Sequence, residues 1–366
     1  MKFSLTRDEL LKPLAWVSSV VDKRQSMAVL QNILLVVEDN VLRLTGTDTE
    51  LELVASINLV HEAQEGEITV PGRKLVDWLK QLTGNPIVDV RLDDQKLYFK
   101  AGRSQSRIAT LPASDFPNLQ DSMGHFSFKL ERQALKKLID KVSFAMAQQD
   151  VRYFLNGMLM DLKPGLLRLV ATDGHRLALC QSDVDYDGTR QQAIVPRKSI
   201  LELSRLLGED GGPAEVILGQ HHLRISLGSI IFTTKLIDGK FPEYERVLPR
   251  DGDKMVLAGR DELRGALLRT LVFCNEKVHG IRVTLTSGNL QLTANNAEQE
   301  EAQENISVEY SGSELEIGFN VVYLLDVLNV LDEPTSLITL GGQNSSLLLQ
   351  EQEGRDASYV VMPMRI

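Results

Sequence analysis

The sequence predicts an α+β protein of three similar domains, each made of two β-α-β-β-β halves with antiparallel sheets on one side and helices on the other. Three stretches of similar sequence, at 30–48, 155–173 and 278–296, recur along the 366 residues. Their final residues lie 125 and 123 positions apart, far more than the roughly 20–50 residues of a solenoid repeat. A step of this length is the size of a domain with its own core.

The same step separates other landmarks in the chain. Val-Pro-Gly-Arg-Lys at 70–74 recurs as Val-Pro-Arg-Lys at 195–198, and the Phe-Pro pair at 116–117 recurs at 241–242. The segments 111–125 and 238–255 are rich in Pro, Gly and Asp, which is typical of links between domains. We therefore expect domains at 1–125, 126–253 and 254–366.

The sequence of the first half-domain predicts a strand, a helix and three further strands. Lys2–Thr6 is the strand, and Leu10, Leu14 and Val17 recur at the three- and four-residue steps of a helix at 7–17. β-rich stretches follow near 31–38, 41–46 and 50–60.

The second half-domain repeats this order. A strand at 67–70 leads to Pro71, which is well placed to open a helix at 72–82, and Gly84 and Pro86 end it. Three further strands are expected near 87–92, 96–101 and 104–110. The links between these strands are too short for parallel crossovers, so the strands should pair antiparallel.

Composition is ordinary for a soluble globular protein, with 43% hydrophobic and 25% charged residues. The sequence contains no apolar run near the roughly 18 residues of a membrane span, and its charged N-terminus does not resemble a signal peptide. Cys180 and Cys274 lie in apolar surroundings and are expected to be buried, reduced thiols. We expect a cytoplasmic protein without membrane contact.

The net charge of −10 is distributed unevenly. Helices are expected at 7–17, 72–82, 132–142, 197–207, 260–270 and 320–331, and together they carry +7, which leaves −17 for the rest of the chain. A surface built from these helices would attract a polyanion. The alternative is that the cations are solvated faces with scattered ion pairs.

Opposite charges mark the two ends of the three-domain row. Lys100, Arg103 and Arg107 lie in the last strand region of the first domain, whereas the equivalent region of the third domain is acidic, with Glu298, Glu300, Glu301 and Glu304. A head-to-tail contact between two copies would match these charges, with an apolar centre of Ile108, Val272 and Phe273 and with Lys74 nearby. The alternative is that the charges protect two exposed sheet edges.

No catalytic or metal-binding constellation is evident in the sequence. Asp183, Asp185 and Asp187 imitate a calcium loop, but its twelfth position is Ile194 rather than the required Glu. His221 and His222 have no ligands at zinc spacing and are interpreted as exposed turn residues.

Asp173 and His175 resemble a catalytic pair. Asp173 matches Asp48 and Asn296 in the repeats, so a turn role for its side chain is favoured. We expect no cofactor and no metal.

Several longer motifs carry a family resemblance. They are Leu-Thr-Gly-Thr-Asp at 44–48, Gln-Asp-Val-Arg-Tyr-Phe-Leu-Asn-Gly-Met at 149–158, Val-Ala-Thr-Asp-Gly-His-Arg-Leu-Ala at 170–178, Thr-Ala-Asn-Asn-Ala-Glu-Gln-Glu-Glu at 293–301, Ile-Gly-Phe-Asn at 317–320 and Val-Val-Met-Pro-Met-Arg-Ile at 360–366. Over its full length the chain resembles the bacterial DNA polymerase III beta subunit, the sliding clamp.

The resemblance implies a DNA clamp fold that forms a head-to-tail homodimeric ring of six domains, with helices lining a hole that encircles duplex DNA without sequence specificity. It implies no enzymatic activity. The expected partners are the DNA polymerase III alpha subunit, the clamp loader complex, and other DNA polymerases and repair proteins that carry short clamp-binding peptides.

The resemblance also assigns site residues. The expected DNA-contacting positions are Arg24, Arg73, Gln149, Tyr153 and Phe154. The expected partner-peptide cleft comprises Leu155, Thr172, Gly174, His175, Arg176, Leu177, Pro242, Arg246, Val247, Asn320, Tyr323, Ser346, Val360, Met362, Pro363, Met364 and Arg365. Its Met and Leu walls suit several peptides, and its Arg and His could fix a peptide backbone.

Two other functions are compatible with parts of the sequence. One is an enzyme, a nuclease or hydrolase, that uses Asp173 and His175. The other is a monomeric three-domain interaction scaffold that does not enclose DNA.

Overall fold

The computed structural model describes residues 1–21, 27–117, 126–208, 211–249, 252–354 and 356–365. Within these ranges the α-helices are α1 Arg7–Val20, α2 Gly72–Gln81, α3 Arg132–Val142, α4 Arg197–Leu207, α5 Arg260–Leu271 and α6 Val321–Val330. The predicted bounds of α3 and α4 are confirmed at both ends, and those of α2, α5 and α6 differ by one residue at one or both ends.

The strands follow the predicted β-α-β-β-β order in every half-domain. They are β1 Lys2–Thr6, β2 Ile33–Glu38, β3 Val41–Thr47, β4 Leu51–Asn58, β5 Gly66–Val70, β6 Ile87–Asp93, β7 Lys96–Ala101, β8 Ser104–Ala109, β9 Phe126–Glu131, β10 Gly157–Lys163, β11 Leu166–Thr172, β12 Arg176–Asp183, β13 Gln191–Pro196, β14 Pro213–Leu218, β15 His222–Leu227, β16 Ile230–Lys235, β17 Lys254–Gly259, β18 Gly280–Thr286, β19 Asn289–Asn295, β20 Glu301–Ser307, β21 Leu315–Asn320, β22 Thr335–Leu340, β23 Leu347–Glu351 and β24 Ala357–Val361.

Helix α1 begins at a capping box and ends later than predicted. The backbone N–H of Thr6 donates to the Glu9 carboxylate at 2.9 Å, and the Thr6 hydroxyl accepts from the Glu9 N–H at 3.5 Å. The predicted end at residue 17 is wrong by three residues, because the helix continues to Val20. Ser18 and Val20 are also buried, and the Ser18 hydroxyl lies beside Gly72 of α2.

The first of two compact units comprises residues 1–135 and 202–236. It contains an eight-stranded sheet of order β5-β2-β3-β4-β16-β15-β14-β9 and a four-stranded sheet of order β1-β6-β7-β8, with β8 at an edge. The neighbouring strands are antiparallel, as predicted. Gly46 lets α1 approach β3 closely, since a Cβ there would lie 2.4 Å from the Val17 carbonyl oxygen.

The second unit comprises residues 136–201 and 237–366. Its eight-stranded sheet has the order β13-β10-β11-β12-β24-β23-β22-β17, and its four-stranded sheet has the order β20-β19-β18-β21, with β20 at an edge. Leu177 on β12 lies opposite Val360 on β24. Both residues belong to a buried apolar cluster that includes Leu159, Val170 and Tyr244.

Each large sheet crosses a predicted domain boundary. In the first unit β4 pairs with β16 and places Leu53 opposite Phe232, and in the second unit β12 pairs with β24. The repeat pattern contains no signal for these pairings. The boundaries at 125 and 253 remain predictions.

Three smaller predictions need correction. Lys100 lies on β7 and Arg103 in the turn between β7 and β8, rather than on the last strand of the first domain, and Glu298 and Glu300 precede β20 rather than lying on it. His222 is half-buried at the start of β15, so it is not an exposed turn residue, and burial lowers the pKa of its imidazole.

Cys180 and Cys274 are buried free thiols, as predicted, and burial raises the pKa of Cys180 to about 11.

Candidate functional site

A tight turn between β11 and β12 presents several predicted cleft residues. The Asp173 carboxylate accepts hydrogen bonds from the backbone N–H groups of His175 at 2.9 Å and Arg176 at 3.0 Å. The Thr172 hydroxyl donates to the Arg176 carbonyl at 2.6 Å, and Gly174 adopts a left-handed φ of 89°. The sequence of this turn is therefore dictated by its backbone geometry.

The equivalent turns use the same arrangement. Asp48 accepts from the N–H groups of Glu50 and Leu51, and Asn296 accepts from those of Glu298 and Glu300. The predicted turn role of Asp173 is confirmed by this geometry. The carboxylate also pairs with the Arg176 guanidinium at 3.2 Å, so it holds its own loop together.

Arg176 lies at the centre of the predicted cleft, with only 12% of its side chain exposed. Its guanidinium is sandwiched between Phe144, at 5.2 Å from the ring centroid, and Tyr323, at 4.5 Å. It pairs with Asp173 and Asp326 and donates to the Phe144 carbonyl at 3.0 Å. Arg176 thus fastens α6 to the β11–β12 turn, and its donors are engaged by the protein rather than offered to a peptide.

The apolar floor of the cleft is formed by residues of β12 and β24 and of two short 3₁₀ helices beside them. Leu155, Leu177 and Val360 are buried, and Val247 and Phe154 pack against the same cluster. An adjoining cavity of about 870 Å³ is lined by the predicted residues Arg246, Val247, Ser346 and Met362, together with Leu248, Pro249, Gly252, Gly341, Asn344 and Ser345. Pro242 is exposed beside it.

The C-terminal segment forms another wall. The Met362 N–H donates to the His175 carbonyl at 2.9 Å, and the Met364 N–H donates to the Gly318 carbonyl at 2.8 Å. The Met362 side chain is 39% exposed, Pro363 and Met364 are half-buried, and Arg365 is exposed. Apolar surface is therefore held in reach of solvent by backbone hydrogen bonds.

Helix α6 contributes the remaining predicted side chains. Asn320 caps it by accepting from the Val322 N–H at 2.9 Å, and the Asn320 amide donates to the Val278 carbonyl at 3.3 Å. Tyr323 stacks on His175 with ring centroids 6.2 Å apart. The structure thus brings the predicted cleft residues together within the second unit.

The predicted DNA-contacting residues fall in several places. Gln149 and Tyr153 are exposed on a loop of the second unit, and Phe154 is half-buried against the cleft cluster. Arg73 is exposed on α2 in the first unit. Arg24 lies outside the described residues.

The loop that carries Gln149 and Tyr153 is internally braced. The Asp150 carboxylate accepts from the N–H and the guanidinium of Arg152, and Arg152 lowers the pKa of Asp150 to about 2. Asn156 exchanges hydrogen bonds with the Asp150 backbone at 2.9 and 2.8 Å. The loop therefore has a fixed shape, which projects Tyr153 into solvent with 56% exposure.

Many helix cations form local ion pairs, as the alternative interpretation of the charge pattern expects. Lys136 pairs with Asp140, Arg205 with Glu202 and Arg269 with Glu304, while Lys137 and Lys141 both contact Asp332. Lys141 is buried and also pairs with Glu351. The exposed cations Arg73, Lys74 and Lys80 on α2 form no ion pair with any described residue. The positive surface is therefore smaller than the sequence count indicates.

The predicted interface residues lie at the β8 edge, on α2 and just after α5. Arg103 and Arg107 are exposed at β8, Ile108 is half-buried there, and Lys74 is exposed on α2. In the second unit Val272 is 74% exposed after α5 and Phe273 is half-buried beside it.

The acidic segment is engaged in part by its own chain. Glu304 accepts two hydrogen bonds from the Arg269 guanidinium, at 2.9 and 2.6 Å, which lower the pKa of Glu304. Glu300 accepts from the Asn296 amide at 2.6 Å. Glu298 and Glu301 are exposed. Glu300 is exposed as well, so these three acids are placed for contact with an external cation.

Sequence reasoning missed the buried polar groups behind the cleft. Asp161, Arg190 and Tyr244 form one hydrogen-bonded cluster, and Phe144 and Asp326 hold Arg176. Asp161 is an acid within the apolar run Met158–Leu162, and an acid in a buried strand requires a partner. That isolated acid was the available signal.

Among the described residues, no group of three or more His, Cys, Asp and Glu side chains is arranged to hold a metal ion. A separate search of the same residues finds no helix with the length and apolar character needed to cross a membrane.

The chain belongs to the bacterial DNA polymerase III beta subunit family. Its N-terminal, central and C-terminal domain models match residues 1–120, 129–243 and 245–365. A "Beta sliding clamp" from Pseudomonas aeruginosa is 54% identical over 367 residues, covering 100% of both chains.

Solved structures agree with this assignment. The crystal structure of the DNA polymerase III subunit beta from P. aeruginosa has a TM-score of 0.98 at 53% identity, covering 100% of each chain. A crystal structure of a sliding clamp from the same organism bound to griselimycin has a TM-score of 0.98 at 54% identity, also with 100% coverage of each chain. The α+β clamp fold predicted from the sequence is confirmed.

Proposed function

We propose that this protein is a DNA sliding clamp: a ring-shaped, head-to-tail homodimer of six domains that encircles duplex DNA and tethers the replicative polymerase without catalysing a reaction. The observation that carries this proposal is the full-length match to a protein called a beta sliding clamp at 54% identity. The three domains, 1–125, 126–253 and 254–366, follow the repeat. The use of Asp173 in its own turn supports a non-catalytic role over a hydrolase.

Contact with DNA in this proposal is electrostatic and independent of sequence. The exposed cations of α2 and the braced loop with Gln149 and Tyr153 are the described groups suited to phosphate and sugar contact. Because many other helix cations are neutralised locally, binding to open DNA should be weak, and enclosure rather than affinity would retain the protein.

Topological retention gives the first testable prediction. Protein loaded by its clamp loader onto nicked circular DNA should remain bound through gel filtration, and cutting the circle should release it within minutes as the ring slides off the ends. The measurement is the fraction of labelled protein that elutes with DNA before and after cutting. Linear DNA whose two ends are blocked by bound protein serves as the control, because the ring cannot slide past the blocks and should be retained. Equal retention on open linear DNA and on circles would contradict enclosure.

The cleft around Arg176 would receive a short extended peptide from the polymerase alpha subunit, the clamp loader or a repair protein. Its buried floor of Leu155, Leu177 and Val360 fits apolar peptide side chains, and the exposed side chain of Met362 can adjust to different partners. The crystal structure of a P. aeruginosa clamp bound to griselimycin shows that a similar protein binds a ligand.

Substitution of Met362 tests the location of this cleft. A deletion that begins at Val360 would break β24, so a point change is the better probe. Met362→Ala should weaken binding of a fluorescent polymerase peptide about tenfold, because a buried methionine contact stabilises by roughly 1.5 kcal/mol or more. Met255→Ala, which removes a methionine that is 57% exposed on β17, should leave affinity unchanged. Equal affinities for the two variants would show that the peptide binds elsewhere.

A further inference from the structure

A buried carboxylate lies behind the cleft. Asp161 on β10 is an acid with no exposed side-chain surface, and its neighbours on the strand are apolar. It accepts two hydrogen bonds from the Arg190 guanidinium, at 2.8 and 2.7 Å, and one from the Tyr244 hydroxyl at 2.6 Å. The buried charge is thus fully engaged, with Lys163 a further 3.7 Å contact.

Tyr244 connects this carboxylate to the cleft wall. Its ring is buried in the cluster that contains Leu177 and Val360. Its backbone N–H donates to the Pro242 carbonyl at 2.7 Å, and its carbonyl accepts from the Val247 N–H at 3.0 Å. Residues 242–247 are therefore folded around Tyr244, with a short 3₁₀ helix at Tyr244–Arg246.

The wall is held by apolar packing and by one buried hydrogen bond: Phe241, Tyr244 and Val247 pack on the cluster, and the Tyr244 hydroxyl donates to Asp161. Pro242, Glu243, Glu245 and Arg246 are exposed, and Tyr244 is the buried side chain of the turn. The pairs of Glu245 with Lys163 and Arg168, at 2.9 and 3.0 Å, are at the surface and contribute little. The Tyr244 hydroxyl is therefore the buried polar contact that fixes how the turn with Pro242, Arg246 and Val247 is seated.

The protonation states of the cluster are fixed at neutral pH. Burial, which alone would raise the pKa of Asp161, is outweighed by the hydrogen bonds from Arg190 and Tyr244, so the pKa is lowered. Burial and the bond to Asp161 raise the pKa of Tyr244 to about 12. The tyrosine therefore stays a donor and the aspartate an acceptor.

We propose that Asp161 and Tyr244 are positioning residues of the partner-peptide cleft: through their hydrogen bond they set the place of the 242–247 wall, and with it peptide affinity, without contacting the peptide. The inference rests on the proposed function of the cleft. Because the wall is common to all peptides, loss of the bond should weaken different partner peptides by similar factors.

The test compares two tyrosines of one unit. Tyr244→Phe removes the hydroxyl and keeps the ring in the cluster. Tyr186→Phe is the matched control, because Tyr186 is also buried and its hydroxyl donates to the Thr189 carbonyl at 2.7 Å, away from the wall. Each variant loses one hydrogen bond and should lose similar thermal stability. Tyr244→Phe should weaken binding of a fluorescent polymerase peptide about three- to tenfold, and Tyr186→Phe should not.

A double-mutant cycle separates positioning from general destabilisation. Asp161→Ala should weaken peptide binding at least as much as Tyr244→Phe, and the double variant should bind no worse than Asp161→Ala, because the alanine has no acceptor and the Tyr244 bond is already lost. Faster hydrogen exchange at the Val247 amide should accompany the weaker binding. Full additivity, or unchanged affinity in Tyr244→Phe, would overturn the positioning role. If the wild-type protein fails to bind the peptide, the proposed cleft itself is wrong.

Discussion

Replacement of Lys141 by methionine is expected to destabilise the second unit by about 3–5 kcal/mol, the largest stability effect of any single substitution considered for this protein. Lys141 and Glu351 lie 3.0 Å apart with 6% and 8% of their side chains exposed. Removal of the ammonium leaves the Glu351 carboxylate buried, and among the residues that the structure describes the Asp332 N–H, at 2.6 Å, remains as its donor. Chemical denaturation followed by far-ultraviolet circular dichroism would measure the loss in free energy of unfolding.

Lys136 offers a matched control on the same helix. It pairs with Asp140 at 2.6 Å, four residues on, with side chains that are 34% and 48% exposed. Lys136→Met should change the free energy of unfolding by less than about 0.5 kcal/mol, since exposed pairs of this kind contribute little. A similar small change for Lys141→Met would show that the buried pair is not a major source of stability.

The second large effect concerns assembly. Conversion of Glu300 and Glu301 to lysine should weaken the proposed homodimer about 100-fold, because the two new lysines would repel the cations at β8 of the other copy. Sedimentation of the wild-type protein should give a mass of about twice 40.8 kDa, and the variant should shift to the monomer at the same concentration.

Charge reversal away from β20 provides the control. Glu314 and Glu316 are exposed, and they lie just before and on β21, at the opposite edge of the same four-stranded sheet. Conversion of this pair to lysine changes the net charge equally and should leave the dimer intact. If both double variants dissociate to the same extent, net charge rather than a charge-matched edge governs assembly. If neither does, the proposed interface is misplaced.

Local signals in the sequence predicted the elements well. Helical periodicity and turn residues located α3 and α4 at both ends, and the recurrence of Asp48, Asp173 and Asn296 identified a shared turn whose hydrogen bonds the structure shows. These features depend on residues close together in the chain, so pattern and chemistry suffice.

Contacts between residues far apart in the chain could not be predicted from such local signals. The pairing of β4 with β16 joins residues far apart in sequence, and periodicity does not specify which strand lies beside which. Counting charges on helices overestimated the free cations, because partners such as Asp332 and Glu304 come from other elements. The residues of the cleft came from family resemblance, whereas the Asp161 cluster behind it required coordinates.

The middle sequence repeat does not fold as one unit, because its strands are divided between the two large sheets. Strands β9 and β14–β16 complete the large sheet of the first unit, while β10–β13 complete that of the second. Expressed alone, residues 126–253 would leave the inner edges of β12 and β16 unpaired, with buried Leu177 and Phe232 at those edges stripped of their partners. Such a fragment should aggregate, so a truncation study of this protein has to keep each unit whole rather than cut between the repeats.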